Sequence, residues 1–230
     1  MVDTIDTTTD PATAAGSAEV KAMASPWVLG LYGLAGATFV VFAHWAGWFG
    51  GPQSAAFLFP LAGTLGGLMP ILAAMWAYTA HDALATAMLG AWGAFWIGYA
   101  FLTGMIAMGK VAVPGGAFPE LAYWFIPMAA ITWMGAAAAR RVSPALVTVF
   151  TLLAAGATLA AIGEGCDVHG ITVLAAWIFI VGAVCAWYTA TVTMFGESFP
   201  RDMLAFARHR MPGRATAQHD VLHPTSHRAG

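Results

Sequence analysis

The stretch Gly90-Ala91-Trp92-Gly93-Ala94-Phe95-Trp96 lies in the middle of a run from Ala83 to Gly109 that carries no charged side chain, and its reading decides the fold. At 100° per residue, Trp92, Phe95, Trp96 and Tyr99 fall on one side of a helix, while Ala83, Ala87, Gly90, Ala94 and Gly98 fall on the other. An uncharged run of this length is enough to cross about 30 Å of hydrocarbon. The helix therefore has an aromatic wall and a nearly bare back.

In lipid, small residues let a second helix approach closely, so the bare back predicts a helix contact. The wall must meet either a packed core or a passage. Two readings stay open: aromatic packing with no further role, or a pathway through the membrane narrowed by this wall, and by Trp92 in particular.

Working outward, the composition agrees. Of 230 residues, 60% are hydrophobic and only 9% are charged, against about a quarter charged in an ordinary soluble domain. This predicts an all-α polytopic membrane protein with six transmembrane helices. The net charge of -2, with scattered basic residues, points away from nucleic acid. Two cysteines, Cys166 and Cys185, are too few for a disulfide framework and read as free thiols.

The segment 1–24, with Asp3, Asp6, Asp10 and Glu19, lacks the basic start and short apolar core of a secretory signal and reads as a disordered cytoplasmic tail. Residues 25–200 make the six-helix transmembrane domain. Ser25-Pro26 opens span one, Trp27 to Phe49, in which His44 is expected to bond locally. Span two runs from Ala55 to about Tyr78 with Gly63, Gly66 and Gly67, and Pro70 predicts a kink that frees a carbonyl. His81-Asp82 lies in a loop before span three, Ala83 to Met108. Span four covers Phe118 to Ala139, interrupted by Pro127, and span five runs from Ser143-Pro144 to Gly163. Glu164-Gly165-Cys166-Asp167 reads as a short acidic loop, and span six extends from His169 to Phe195.

Residues 201–230 form a second cytoplasmic tail, mostly disordered. In it, Pro212, Gly213 and Pro224 work against the helix that would align His219, His223 and His227 on a metal. Six spans place both termini on the side of Lys21, Arg140, Arg141, Arg201, Arg208 and Arg210, whereas the opposite loops hold only Lys110. The positive-inside rule makes the first side cytoplasmic, in a cell inner membrane. No internal repeat at a fixed period is visible.

No enzyme constellation, metal site or cofactor motif occurs. The spans carry threonines instead, among them Thr38, Thr103, Thr132 and Thr189. Their hydroxyls either bond the preceding turn or offer neutral hydrogen bonds to a small solute in a lumen.

Particular residues then resemble a family. Ser25-Pro26-Trp27-Val28-Leu29-Gly30-Leu31-Tyr32-Gly33-Leu34 is similar to the opening N-P-A-P-L-G-L-x-G-F signature of the acetate uptake transporter family, the succinate-acetate permease type. Trp92-Gly93-Ala94-Phe95-Trp96 resembles its Y-G-x-F-W. Ala161-Ile162-Gly163, and Trp177 through Tyr188 to Glu197-Ser198-Phe199, follow in the family's order. The likeness spans about Ser25 to Arg201.

It implies a six-span protomer in a homo-hexamer, each protomer with its own path for acetate and related monocarboxylates, with succinate as a further candidate. The implied constriction is Leu34, Trp92 and Leu153, standing for the family's Phe, Tyr and Leu. The implied mouth of the path is Ser25, Pro26, Gly30 and Leu31. Ser25 replaces an Asn, and Pro70 stands where relatives often carry Gln. The function expected is thus a passive or proton-linked membrane route for a small carboxylate, with the lipid bilayer, and in the coupled case protons, as partners. Two other readings are a channel for small neutral amides such as urea and a membrane scaffold whose C-terminal tail binds a soluble protein.

Overall fold

The computed structural model describes residues 24–51, 53–112 and 118–198. They form six helices, each long and apolar enough to cross a membrane: α1 Pro26–Trp45, α2 Ser54–Thr79, α3 Ala83–Ala107, α4 Pro119–Ala139, α5 Pro144–Gly165 and α6 His169–Ser198. No strand occurs among the described residues. The protein is an all-α, multi-pass membrane protein, as its hydropathy predicts. Both expected tails, with His219, His223 and His227, lie outside the described residues. Of the described residues, those up to Met194 form one compact unit, and Phe195 to Ser198 fall in another.

Two helix ends differ from the sequence reading. α1 stops at Trp45 rather than Phe49, because Gly47 adopts a left-handed φ of 79°. Its N–H returns to the His44 carbonyl at 3.0 Å, and the Trp48 N–H returns to that of Ala43 at 3.0 Å, closing the helix. α5, by contrast, continues through Glu164 to Gly165. Glu164 is therefore a helical residue, 8% exposed, and not part of an acidic loop. Hydrogen bonds to its carboxylate offset the cost of burying the charge.

The proline in span two acts through its surroundings. Within α2, residues Ala62–Leu68 are π-helical, and the Met69 N–H reaches the carbonyl of Thr64, five residues back. In that register the partner of the Leu65 carbonyl is residue 70, a proline with no N–H. This carbonyl lies against Gly33 of α1, where any Cβ would collide with it.

Consecutive helices are neighbours: α1 packs on α2, α2 on α3, α3 on α4, and α4 on α5. Phe179 of α6 fits the notch left by Gly156 of α5 and stacks on Phe42 of α1 with centroids 3.8 Å apart, so the last helix returns to the first. The bare back of α3 makes the close contact expected of it only in part: Gly98 borders the Trp124 ring of α4, where an added Cβ would come within 3.3 Å, and Gly90 lies beside Ala74 of α2. Ala83, Ala87 and Ala94 are exposed, and the tightest approaches occur at glycines elsewhere. Gly30 receives Leu89, Gly66 receives Trp96 and Gly135 receives Met88. Large apolar side chains such as Phe101, Tyr123, Met134 and Tyr188 face outward, as a lipid-exposed surface requires.

Candidate functional site

The aromatic wall of α3 faces the middle of the bundle. Trp92, Phe95, Trp96 and Tyr99 are all buried, Trp92 and Trp96 completely. Trp92 meets Phe95 of its own helix and Phe179 of α6, with centroids 5.4 and 6.1 Å away. Phe125 of α4 meets Phe95 and Phe179 at 5.2 and 6.1 Å. With Phe42 of α1, which stacks on Phe179, rings from four helices fill the interior, held largely by offset and edge contacts.

The implied constriction residues come from three alternate helices. Leu34 of α1, Trp92 of α3 and Leu153 of α5 are at most 1% exposed. Leu153 borders Gly182 of α6, and the notch for Phe179 at Gly156 lies nearly one turn beyond it. Phe179 therefore touches Trp92 on one side and the α5 backbone near Leu153 on the other. It is a residue the sequence reading missed. The available signal was a single large ring in the small-residue row Ala175, Ala176, Ala183, Ala186.

Trp92 does not hold its indole N–H free. It donates to Thr132 Oγ1 at 3.1 Å, and Thr132 in turn donates to the Met128 carbonyl at 2.6 Å. This chain fixes the ring plane, so Trp92 acts as a shaped apolar wall. Most other span threonines also bond the preceding turn, including Thr103 and Thr189. The row of free hydroxyls considered from the sequence is therefore largely spent on the backbone.

Of the four implied mouth residues, Ser25 and Pro26 are half-buried at the start of α1, whereas Gly30 and Leu31 are buried. Leu89 fills the space beside Gly30. By helix rise, Ser25 and Leu34 are about 13 Å apart along the axis, whereas Gly30 and Leu31 lie within about 6 Å of Leu34, so Ser25 and Pro26 stand at a different level from the constriction and Gly30 and Leu31 do not. An apolar cleft of about 650 Å³ between α2 and α3, lined by Phe59, Gly63, Phe101 and Met105 among others, opens outward and away from Trp92. Its chemistry suits lipid.

Carboxylates pin the two ends of the bundle. Asp82 caps α3 by accepting the Ala85 N–H at 2.9 Å and also accepts the Trp27 indole N–H at 2.8 Å, tying the start of α1 to that of α3. Glu164 accepts the Phe118 N–H at 2.7 Å and the Thr172 hydroxyl at 3.1 Å, joining α5 to the starts of α4 and α6. Neither role was read from the sequence, where both residues lay in presumed loops. As expected, His44 bonds locally, through Nδ1 to the Phe49 carbonyl at 2.9 Å. Both cysteines are free.

The charged residues among those described are Asp82, Lys110, Glu120, Arg140, Arg141, Glu164, Asp167 and Glu197, and all lie at helix ends or in loops. Leu34, Trp92 and Leu153 each stand well inside their helices, away from these charges.

A family model described as the GPR1/FUN34/yaaH family matches residues 7–201. The chain belongs to this family. The match begins upstream of Ser25, where the sequence likeness was first legible. Among solved structures the chain is similar to one titled "Structure of the bacterial acetate channel SatP", with a TM-score of 0.70 and 22% identity over 77% of this chain and 96% of that one. At this identity the likeness shows a shared fold. No curated protein matches the chain by sequence.

Proposed function

We propose that this protein carries acetate and related short-chain carboxylates across the inner membrane through the interior of each protomer, at a constriction formed by Leu34, Trp92 and Leu153. The observation that carries this reading is the burial of all three side chains inside the bundle, away from the charged residues at helix ends and in loops. Family membership supports a transport role, and the structural relative is by its title an acetate channel. Phe179 joins the constriction through its contact with Trp92. Both termini lie in the cytoplasm, and the protomers assemble as a homo-hexamer, in line with the family resemblance.

The bundle interior stabilises no bare charge, so the acid passes as a neutral molecule or together with a proton. Succinate, which must lose two charges, is a poorer substrate on the same ground. The experiment is uptake of radiolabelled acetate into proteoliposomes containing the wild-type chain or Trp92→Ala. Uptake equal to that of empty liposomes refutes the assignment.

The uncharged interior favours one other solute class, small neutral amides such as urea. Urea does not ionise in the physiological range, so its uptake would be flat with pH, while uptake of a neutral acid falls as pH rises.

A further inference from the structure

One turn beyond the constriction on each of two helices stands a polar side chain: Thr38, four residues after Leu34, and Trp96, four after Trp92. Both are 0% exposed. Thr38 Oγ1 and Trp96 Nε1 are buried side-chain atoms without a hydrogen-bond partner. The contrast with their neighbours is sharp. Thr103, Thr132 and Thr189 bond the preceding turn, Thr172 bonds Glu164, and Trp92 bonds Thr132. A buried donor without a partner is costly, so two at one level mark a place where something else completes them.

The two stand at the same level. The Cβ position that Gly66 lacks is 2.5 Å from Trp96 Cγ and 2.7 Å from Cβ of Ala37, the residue before Thr38. Phe42, one turn beyond Thr38 on α1, meets the Trp96 ring with centroids 6.2 Å apart. The indole N–H only donates, whereas the threonine hydroxyl both donates and accepts. A carboxylic acid answers both: its carbonyl oxygen accepts from Trp96, and its O–H donates to Thr38 Oγ1. The ionised form would bring a charge to a level where the described residues supply no cation. The titratable side chain bordering the site is Tyr99, whose ring is 5.6 Å from that of Trp96.

We infer that Thr38 and Trp96 form a docking point for the undissociated carboxyl group of a short acid, next to the constriction. This rests on the proposed transport route and adds the protonation state in which the substrate is held. The test uses the full chain in lipid nanodiscs with ¹⁵N-labelled tryptophan, the Trp96 indole resonance being assigned by its absence in Trp96→Phe. Sodium acetate is titrated against matched sodium chloride at acidic and at neutral pH.

The expected result is a saturable shift of that resonance at acidic pH that weakens at neutral pH for the same total acetate. Thr38→Val should weaken it about three- to tenfold, the loss of one hydrogen bond, while Thr38→Ser retains it. Acetate flux through Thr38→Val and Trp96→Phe proteoliposomes should fall by a similar factor below saturation. A resonance unmoved by acetate while wild-type flux persists means that water completes the pair, which overturns the docking point and leaves the transport reading standing. A shift with acetamide but not with acetate overturns it in favour of an amide. Absence of wild-type flux overturns both.

Discussion

At the scale of single residues, Trp92 joins shape to hydrogen bonding, and substitutions separate the two. Trp92→Phe keeps an aromatic ring, removes the bond to Thr132, which remains satisfied through Met128, and leaves a small gap where the larger indole stood. The cost should be about 1–3 kcal/mol from the lost bond and the gap together, with acetate flux closer to wild type than in Trp92→Ala. Trp92→Ala empties a fully buried site, at a cost of about 3–5 kcal/mol in stability. It should also widen the passage, so that butyrate uptake rises relative to acetate; an unchanged ratio of the two in proteoliposomes would place the selecting step elsewhere. Phe179→Ala should shift the ratio in the same direction, since Phe179 presses on Trp92 from α6.

The elements are held by two devices that pattern reading passes over. The first is close approach at glycine. A Cβ at Gly66 would come within 2.5 Å of Trp96 Cγ, so Gly66→Ala should destabilise the bundle by about 1–3 kcal/mol through overpacking. A melting temperature in detergent equal to wild type would show that the π-helical segment of α2 yields instead. The second device is the carboxylate pin. Asp82→Ala removes the cap of α3 and the acceptor of Trp27, with about 0.5–2 kcal/mol expected for the cap alone. Glu164→Ala leaves the Phe118 N–H without its partner, at about 1–3 kcal/mol, and Glu164→Gln should recover part of that because its amide oxygen still accepts. Thermal unfolding of the four variants checks these effects.

For the whole molecule, the distribution of charge sets the prediction. Charged side chains among the described residues stay at the ends of the helices, and the middle is lined by rings, alkyl groups and methyls. Acetate uptake measured at constant total acetate should therefore fall steeply as pH rises and the undissociated fraction shrinks. A profile flat with pH, matched by urea, would favour the amide reading. Mass measurement of the detergent-solubilised protein tests the expected hexamer.

The sequence by itself determined the six apolar helices, their order, the inward aromatic face of α3 and the family, because hydrophobic length and helical period are local properties of the chain. It did not show which small residues make contacts: on the bare back of α3, Ala83, Ala87 and Ala94 face outward while Gly90 and Gly98 meet neighbouring helices, and Gly30, Gly66 and Gly156 receive side chains from other helices. Nor did it show that Glu164 is buried, that Phe179 completes the ring cluster, or that Thr38 and Trp96 lack partners where similar residues have them. Whether a polar atom is satisfied, or a gap filled, depends on groups brought together from distant parts of the chain, and only the packed bundle decides that.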